Sequence, residues 1–307
     1  MLGAMQPHKW ELKQLVRDVI AYHETHGRDH LPWRKTRDPY RILVSEVMLQ
    51  QTQVDRVIPK YEAFTAAFPD AATLAHASFP QVLALWSGLG YNRRAKYLHE
   101  AAKMIRSAKT LRGGEINTTP TPPRSVFSPL LNLEFLESLP GVGTYTARAV
   151  MTFAYDSDEV FIETNIRTIF THYLFCGGLS SADSAAQRVG DAELLPLVAD
   201  ALALAKQAGL SPREWYGALM DFGSHLKRQG LRINNRSAHY AKQSTFKGSA
   251  RQLRGMILRE LLKSAATPNA LEKATARPIT EVEHELAKLV KENVLTKIGK
   301  KYSIANA

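Results

Sequence analysis

At 307 residues the chain has room for one large domain and a small one, and a hydrophobic content of 45% supports a buried core. No apolar run approaches a membrane span, and the polar start (Lys9, Glu11, Lys13) predicts no export signal. The single cysteine, Cys176, excludes an internal disulfide framework and any four-cysteine metal centre. The net charge of +11 lies at one end: residues 1–223 carry 23 Lys and Arg against 23 Asp and Glu, and residues 224–307 carry 17 against 6. A basic end of this kind points to a polyanion, usually nucleic acid. Interleaved Leu253, Ile257, Leu261 and Leu262 predict that it folds.

Taken in chain order, residues 9–27 read as a helix with Trp10, Leu12, Leu15, Val16, Val19 and Ile20 on one face. Asp38 and Pro39 make a cap and first-turn pair for a second helix over residues 40–51. That helix is mostly apolar, yet Glu46 lies in its middle. On pattern alone Glu46 is either on an exposed stripe or a buried carboxylate held for a purpose. Thr52 and Asp55 are expected to open the next helix. Ser78-Phe79-Pro80-Gln81 carries a capping box and opens another, which runs into Trp86-Ser87-Gly88-Leu89-Gly90-Tyr91-Asn92. Residues 110–130, with Pro120, Pro122, Pro123 and Pro129, read as a linker. Helical spacing returns over residues 130–139 and again over 144–153, joined by Pro140-Gly141-Val142-Gly143. A glycine-lined turn feeding a helix N-terminus offers backbone N–H groups and a positive dipole end to a phosphate.

Three strings together resemble the helix-hairpin-helix base-excision DNA glycosylases, with most similarity to the adenine glycosylase family, MutY. They are Pro32-Trp33-Arg34 through Asp38-Pro39-Tyr40 to Ser45-Glu46-Val47-Met48-Leu49-Gln50-Gln51-Thr52; Gly88-Leu89-Gly90-Tyr91; and Leu139-Pro140-Gly141-Val142-Gly143-Thr144-Tyr145. The resemblance covers roughly residues 9–246. It implies an all-α, two-lobed fold whose hairpin (Gly141, Gly143, Thr144) grips a DNA phosphate, with Na+ or K+ on its carbonyls. It makes Glu46 the acid that protonates the departing base, with burial expected to favour its protonated form. Gln51 becomes the wedge in the base stack, Thr52 a contact to the opposite base, and Leu89 and Tyr91 contacts at the lesion. Trp33, Arg34 and Leu49 are expected to line the base pocket.

The essential Asp of the superfamily is matched here by Glu163, in Phe161-Ile162-Glu163-Thr164-Asn165, with Asn165 its expected orienting partner. One extra methylene moves a carboxylate by ~1.5 Å along its stem, and displacements of that order cost on the order of a hundredfold in rate. Tyr145 stands where bifunctional relatives carry a sugar-attacking Lys, which favours a glycosylase with little strand cleavage. Residues 182–226 read as helical, with Ser211 and Pro212 opening the last helix. The iron–sulfur loop that follows in the family has its four cysteine places at Lys227, Asn234, Ser237 and Gln243, so no cluster is expected. Arg228, Arg232 and Arg236 are expected to keep the charge of that loop.

From residue 247 a separate basic unit is expected. It comprises helices over residues 250–264, 268–276 and 280–293, then a β-hairpin over 294–304. This pattern resembles a winged helix and not the Nudix-like domain that MutY carries there. Three functions stay open on sequence. One is removal of adenine opposite 8-oxoguanine or guanine; another is removal of T or U opposite G, which Asn92 suits. The third is DNA-structure binding with weakened catalysis. Double-stranded DNA is the expected partner, and a cytoplasmic, nucleoid-associated monomer the expected form.

Overall fold

The computed structural model describes residues 9–110, 132–175, 189–231 and 245–305. In chain order the helices are α1 (Lys9–His26), α2 (Pro39–Leu49), α3 (Val54–Ala67), α4 (Ala71–His76), α5 (Phe79–Trp86), α6 (Arg93–Thr110) and α7 (Leu133–Ser138). They continue as α8 (Thr144–Tyr155), α9 (Thr164–Phe175), α10 (Asp191–Gln207), α11 (Pro212–Arg228), α12 (Ala250–Leu261), α13 (Pro268–Thr275) and α14 (Ile279–Lys291). Strands β1 (Leu295–Ile298) and β2 (Lys301–Ile304) close the chain, and among the described residues the fold is otherwise helical. The linker expected over 110–130, the start of the 182–226 helix, Cys176, Arg232, Asn234, Arg236, Ser237 and Gln243 lie outside the described residues, apart from Thr110 at the end of α6.

Capping chemistry explains most of the starts. Ser211 N–H donates to Glu214 Oε2 at 2.8 Å while Glu214 N–H donates to Ser211 Oγ at 3.3 Å. Ser78 N–H donates to Gln81 Oε1 at 2.9 Å. Each arrangement satisfies donors that a helix terminus leaves open. Thr52 does not cap α3, as its spacing suggested. Gln53 takes that place without a side-chain bond, because the Thr52 hydroxyl accepts from the Arg94 guanidinium at 3.1 Å. Helix α4, capped by Asp70 accepting from Thr73 N–H at 2.7 Å, is too short for periodicity to reveal.

The chain forms two compact units, each built from two separate stretches: Met1–Pro39 with Thr144–Lys242, and Tyr40–Gly143 with Gln243–Ala307. In the first unit, Leu15 and Val19 of α1 pack with Ile166, Ile169 and Phe170 of α9, Val198 and Ala201 of α10, and Trp215 and Leu219 of α11. Trp10, placed on the buried face by its spacing, is instead 64% exposed at the open first turn. Phe161 stacks on Tyr216 with centroids 3.9 Å apart. The Tyr216 hydroxyl accepts from Phe161 N–H at 3.2 Å and donates to the Glu159 carbonyl at 3.0 Å, which fixes the segment leading into α9. Among the described residues no single helix is long and apolar enough to cross a membrane.

In the second unit, Ile42, Met48, Phe64, Leu74, Leu83, Trp86 and Leu98 are almost fully buried. Residues 250–304 form three helices and an antiparallel hairpin, Leu295 opposite Ile304 and Ile298 opposite Lys301. Tyr302 adds a bridge to Ala266 through bonds of 2.8 and 3.1 Å. Leu253, Ile257, Leu271, Val282, Leu286 and Leu289 are buried there. The tail joins the rest of its unit through Glu292, whose backbone carbonyl accepts from Lys96 Nζ at 2.6 Å and whose carboxylate pairs with Arg93 and Arg254.

Candidate functional site

Helix α2 is buried along almost its whole length, and Glu46 within it is only 6% exposed among Ile42, Leu43, Val47 and Met48. A carboxylate kept there against the cost of desolvation is a marked exception to the apolar run. Leu49 and Gln50 are half-buried, Gln51 is exposed, and the backbone of Gln51 is left-handed at φ 55°. A non-glycine residue in that region is strained, so the turn after α2 is held by something outside itself.

Arg94 supplies that hold. Its guanidinium donates to the carbonyls of Val47 (2.7 Å), Met48 (3.0 Å) and Gln50 (2.6 Å), which are carbonyls the end of α2 would leave open. The same group reaches Thr52 Oγ1 and the carbonyls of Leu89 and Gly90 at 3.1, 3.4 and 3.3 Å. Burial pushes Arg94 down to about 10, which leaves it charged at neutral pH. One buried cation therefore fastens the Gln50-Gln51-Thr52 turn to the Gly88–Tyr91 loop. Tyr91 is also left-handed, at φ 47°. Leu89, expected at the bases, is 4% exposed and faces the protein. Gln51, Tyr91 and Gly141 are brought together around one cavity of about 490 Å³.

The hairpin between α7 and α8 needs glycine at one of its two places. Gly141 has φ +75°, and a Cβ there would lie 2.8 Å from Tyr97 Cβ; Gly143 has open space around it. Thr144 is exposed at the first turn of α8. Tyr145, half-buried, meets Phe161 edge-on with centroids 5.6 Å apart.

In the first unit Glu163 caps α9 with its own side chain. Its Oε1 accepts from the N–H groups of Asn165 at 2.6 Å and Ile166 at 3.0 Å. The extra methylene is thus used in curling back onto the helix N-terminus, as a shorter capping residue does. The residue is half-buried but its carboxyl end is enclosed by protein. Burial pushes that carboxyl above the usual carboxylate range, while the two N–H donors and the charges of Lys227 and Arg167 pull the other way. Lys227 Nζ donates to Asn165 Oδ1 at 2.6 Å. Gly223, one turn earlier on α11, permits the approach, since a Cβ there would lie 2.6 Å from Asn165 Cβ.

Trp33 is buried in a 3-10 turn (Pro32–Arg34). Arg34 donates to Asp221 through both terminal nitrogens, at 2.7 and 2.8 Å, and to the Gly217 carbonyl at 2.9 Å. Its guanidinium braces α11. Arg94, Lys227 and Asp221 escaped the sequence reading because their partners are remote in the chain. The one local signal was Gly223 and Lys227 at helical spacing.

The model of the HhH-GPD superfamily of base excision DNA repair proteins matches residues 44–191. The chain is 33% identical to an adenine DNA glycosylase of Mycolicibacterium smegmatis over 267 residues, covering 82% of this chain and 81% of that one. A Mycobacterium tuberculosis adenine DNA glycosylase is 33% identical over 268 residues, 82% and 79% of the two chains. The chain belongs to the helix-hairpin-helix base-excision DNA glycosylases. The solved structure of a thermostable thymine-DNA glycosylase shares the fold, with a TM-score of 0.53, 22% identity, and coverage of 75% of this glycosylase and 97% of that protein. An iron–sulfur cluster does not fit the residues present. The first ligand place is Lys227, bonded to Asn165, and the glycosylase has one cysteine in its whole sequence.

Proposed function

We propose that this DNA N-glycosylase removes adenine mispaired with 8-oxoguanine or guanine, by hydrolysis of the N-glycosidic bond. Relatives named adenine DNA glycosylase, aligned over four-fifths of the chain, support the reading. The observation that carries the chemistry is Glu46, a carboxyl buried in α2 just ahead of Gln50 and Gln51.

The target nucleotide must leave the base stack before its glycosidic bond can be reached. Glu46 then gives a proton to the base ring, which departs as a neutral molecule with the bonding electron pair. The sugar left behind is an oxocarbenium-like cation, and the Glu163 carboxylate opposes its charge until water adds at the sugar carbon; the proton that water releases restores the Glu46 acid. Glu163 serves this role only when ionised. The Asn165 and Ile166 N–H groups and the Lys227 ammonium favour that form against burial. Tyr145 brings no amine, so no Schiff base forms and the product is an abasic site in an intact strand.

The test uses the full chain on duplexes containing A opposite 8-oxoguanine, A opposite G, T opposite G and U opposite G, with strand breaks read after alkali. Adenine release from the first two is expected, with few breaks before alkali. Release from T:G and U:G alone would overturn the adenine assignment, and binding without release would overturn the hydrolase assignment. Glu46→Gln is expected to lower the single-turnover rate at least about a hundredfold, the usual scale for a general acid.

A further inference from the structure

The tail after residue 242 has no role in the reaction above, yet it closes one side of the cavity beside Gln51 and Tyr91. Arg251 and Arg254 lie three residues apart on α12 and line that cavity, while Leu253, Ile257 and Leu261 of the same helix are buried in the tail's own core. The Arg251 guanidinium sits 5.3 Å from the centroid of the Tyr91 ring and donates to its hydroxyl. Arg93 and Arg94 also line the cavity. Of these four guanidinium groups, Arg93 and Arg254 share the carboxylate of Glu292, while Arg94 is bonded to the carbonyls at the end of α2.

Two further features separate this cavity from an ordinary crevice. Gln51 and Tyr91, from two separate turns that both line the cavity, hold left-handed backbone. Such strained backbone collects at ligand clamps. The same cavity is lined by Gly141, the hairpin glycine with positive φ. Guanidinium forks match the paired oxygens of a phosphodiester in geometry as well as charge.

We infer that the tail is part of the DNA site: Arg251 and Arg254 hold one phosphodiester of the duplex next to the Gln51 and Tyr91 turns. The inference rests on the glycosylase reading for its ligand class, but not on which base is excised. Glu292 acts as a counter-charge that the phosphate displaces from Arg254.

The experiment measures duplex binding by fluorescence anisotropy across a KCl series, using one fully paired duplex and one with A opposite 8-oxoguanine. Arg251→Ala and Arg254→Ala are each expected to weaken both duplexes about tenfold and to make the log Kd against log salt slope shallower by about one. Arg259→Ala removes an exposed cation of the same helix that does not line the cavity, so its slope should match the parent. Glu292→Gln keeps the backbone carbonyl that Lys96 uses and is expected to tighten binding a few-fold. Slopes unchanged in both arginine variants, with only melting temperature lowered, would mean that the arginines merely brace the Tyr91 loop and would overturn the inference. A shallower slope in a protein that releases no adenine would leave this inference standing and remove the adenine assignment instead.

Discussion

At the scale of single residues, the two glutamates differ in how much of their setting can be read from the sequence. Glu46 was visible as a carboxylate interrupting an apolar helix, and it is buried there. The setting of Glu163 was not, because its neighbours come from α11, more than sixty residues along the chain. Lys227 bonds Asn165, and Asn165 N–H bonds Glu163. The charged groups facing Glu163 are Lys227 from α11 and Arg167 from α9, the latter paired with Asp191 at 2.7 Å. If Glu163 works as an anion, activity falls on the acid side as it takes up a proton. Burial places that limb above the position of an ordinary glutamate. Lys227→Met removes a charge that favours the anion, so the limb is expected to move to higher pH and the rate at neutral pH to drop on the order of tenfold to a hundredfold. Lys227→Arg should hold the limb near its original place. A pH–rate profile under single-turnover conditions checks both, and a Lys227→Met limb that stays in place would make the lysine a packing residue only.

Single elements were legible where their chemistry is local. The boxes at Ser78 and Ser211, and the three helices and hairpin of the tail, follow from capping residues and from periods of 3.6 and 2. Thr52 looked like a cap of the same kind and is not one, since a buried arginine from α6 outcompetes the helix for its hydroxyl. The α7–α8 hairpin shows the limit from the other side. Its two glycines look equivalent in sequence, and only Tyr97 distinguishes them. Gly141→Ala would place an L side chain at φ +75°, which costs about 1–2 kcal/mol, and would drive Cβ into the Tyr97 side chain. The expected result is a lower melting temperature and, if the hairpin N–H groups hold a phosphate as proposed from the sequence, at least about tenfold weaker duplex binding. Gly143→Ala meets no atom within 4 Å and has no positive φ, so its melting temperature should match the parent. Equal melting temperatures for the two variants would contradict the geometry.

At the scale of the whole molecule, what the sequence hides is that each unit is assembled from distant stretches. Periodicity finds helices but does not say that residues 9–39 belong with 144–231. Asp221 on α11 is the tie. It is 1% exposed and accepts from Arg28 N–H at 2.9 Å, Arg28 Nε at 2.5 Å and both terminal nitrogens of Arg34. Burial alone would raise its carboxyl, but Arg34 and Arg28 outweigh burial and hold it below the usual carboxylate range. A carboxylate lowered on folding stabilises the native state above its unfolded value, ~3.9. That contribution is lost as pH falls through the lower, folded value. Asp221→Asn leaves two partly buried arginines without their anion, a loss of roughly 3–5 kcal/mol, or on the order of 10 °C in melting temperature for a chain of this size. Melting curves from neutral pH down to about pH 3 should show the parent losing stability steeply at the acid end, while Asp221→Asn starts lower and falls less. Parallel curves for the two proteins would mean that the pairing of the N-terminal stretch with α11 does not depend on this charge.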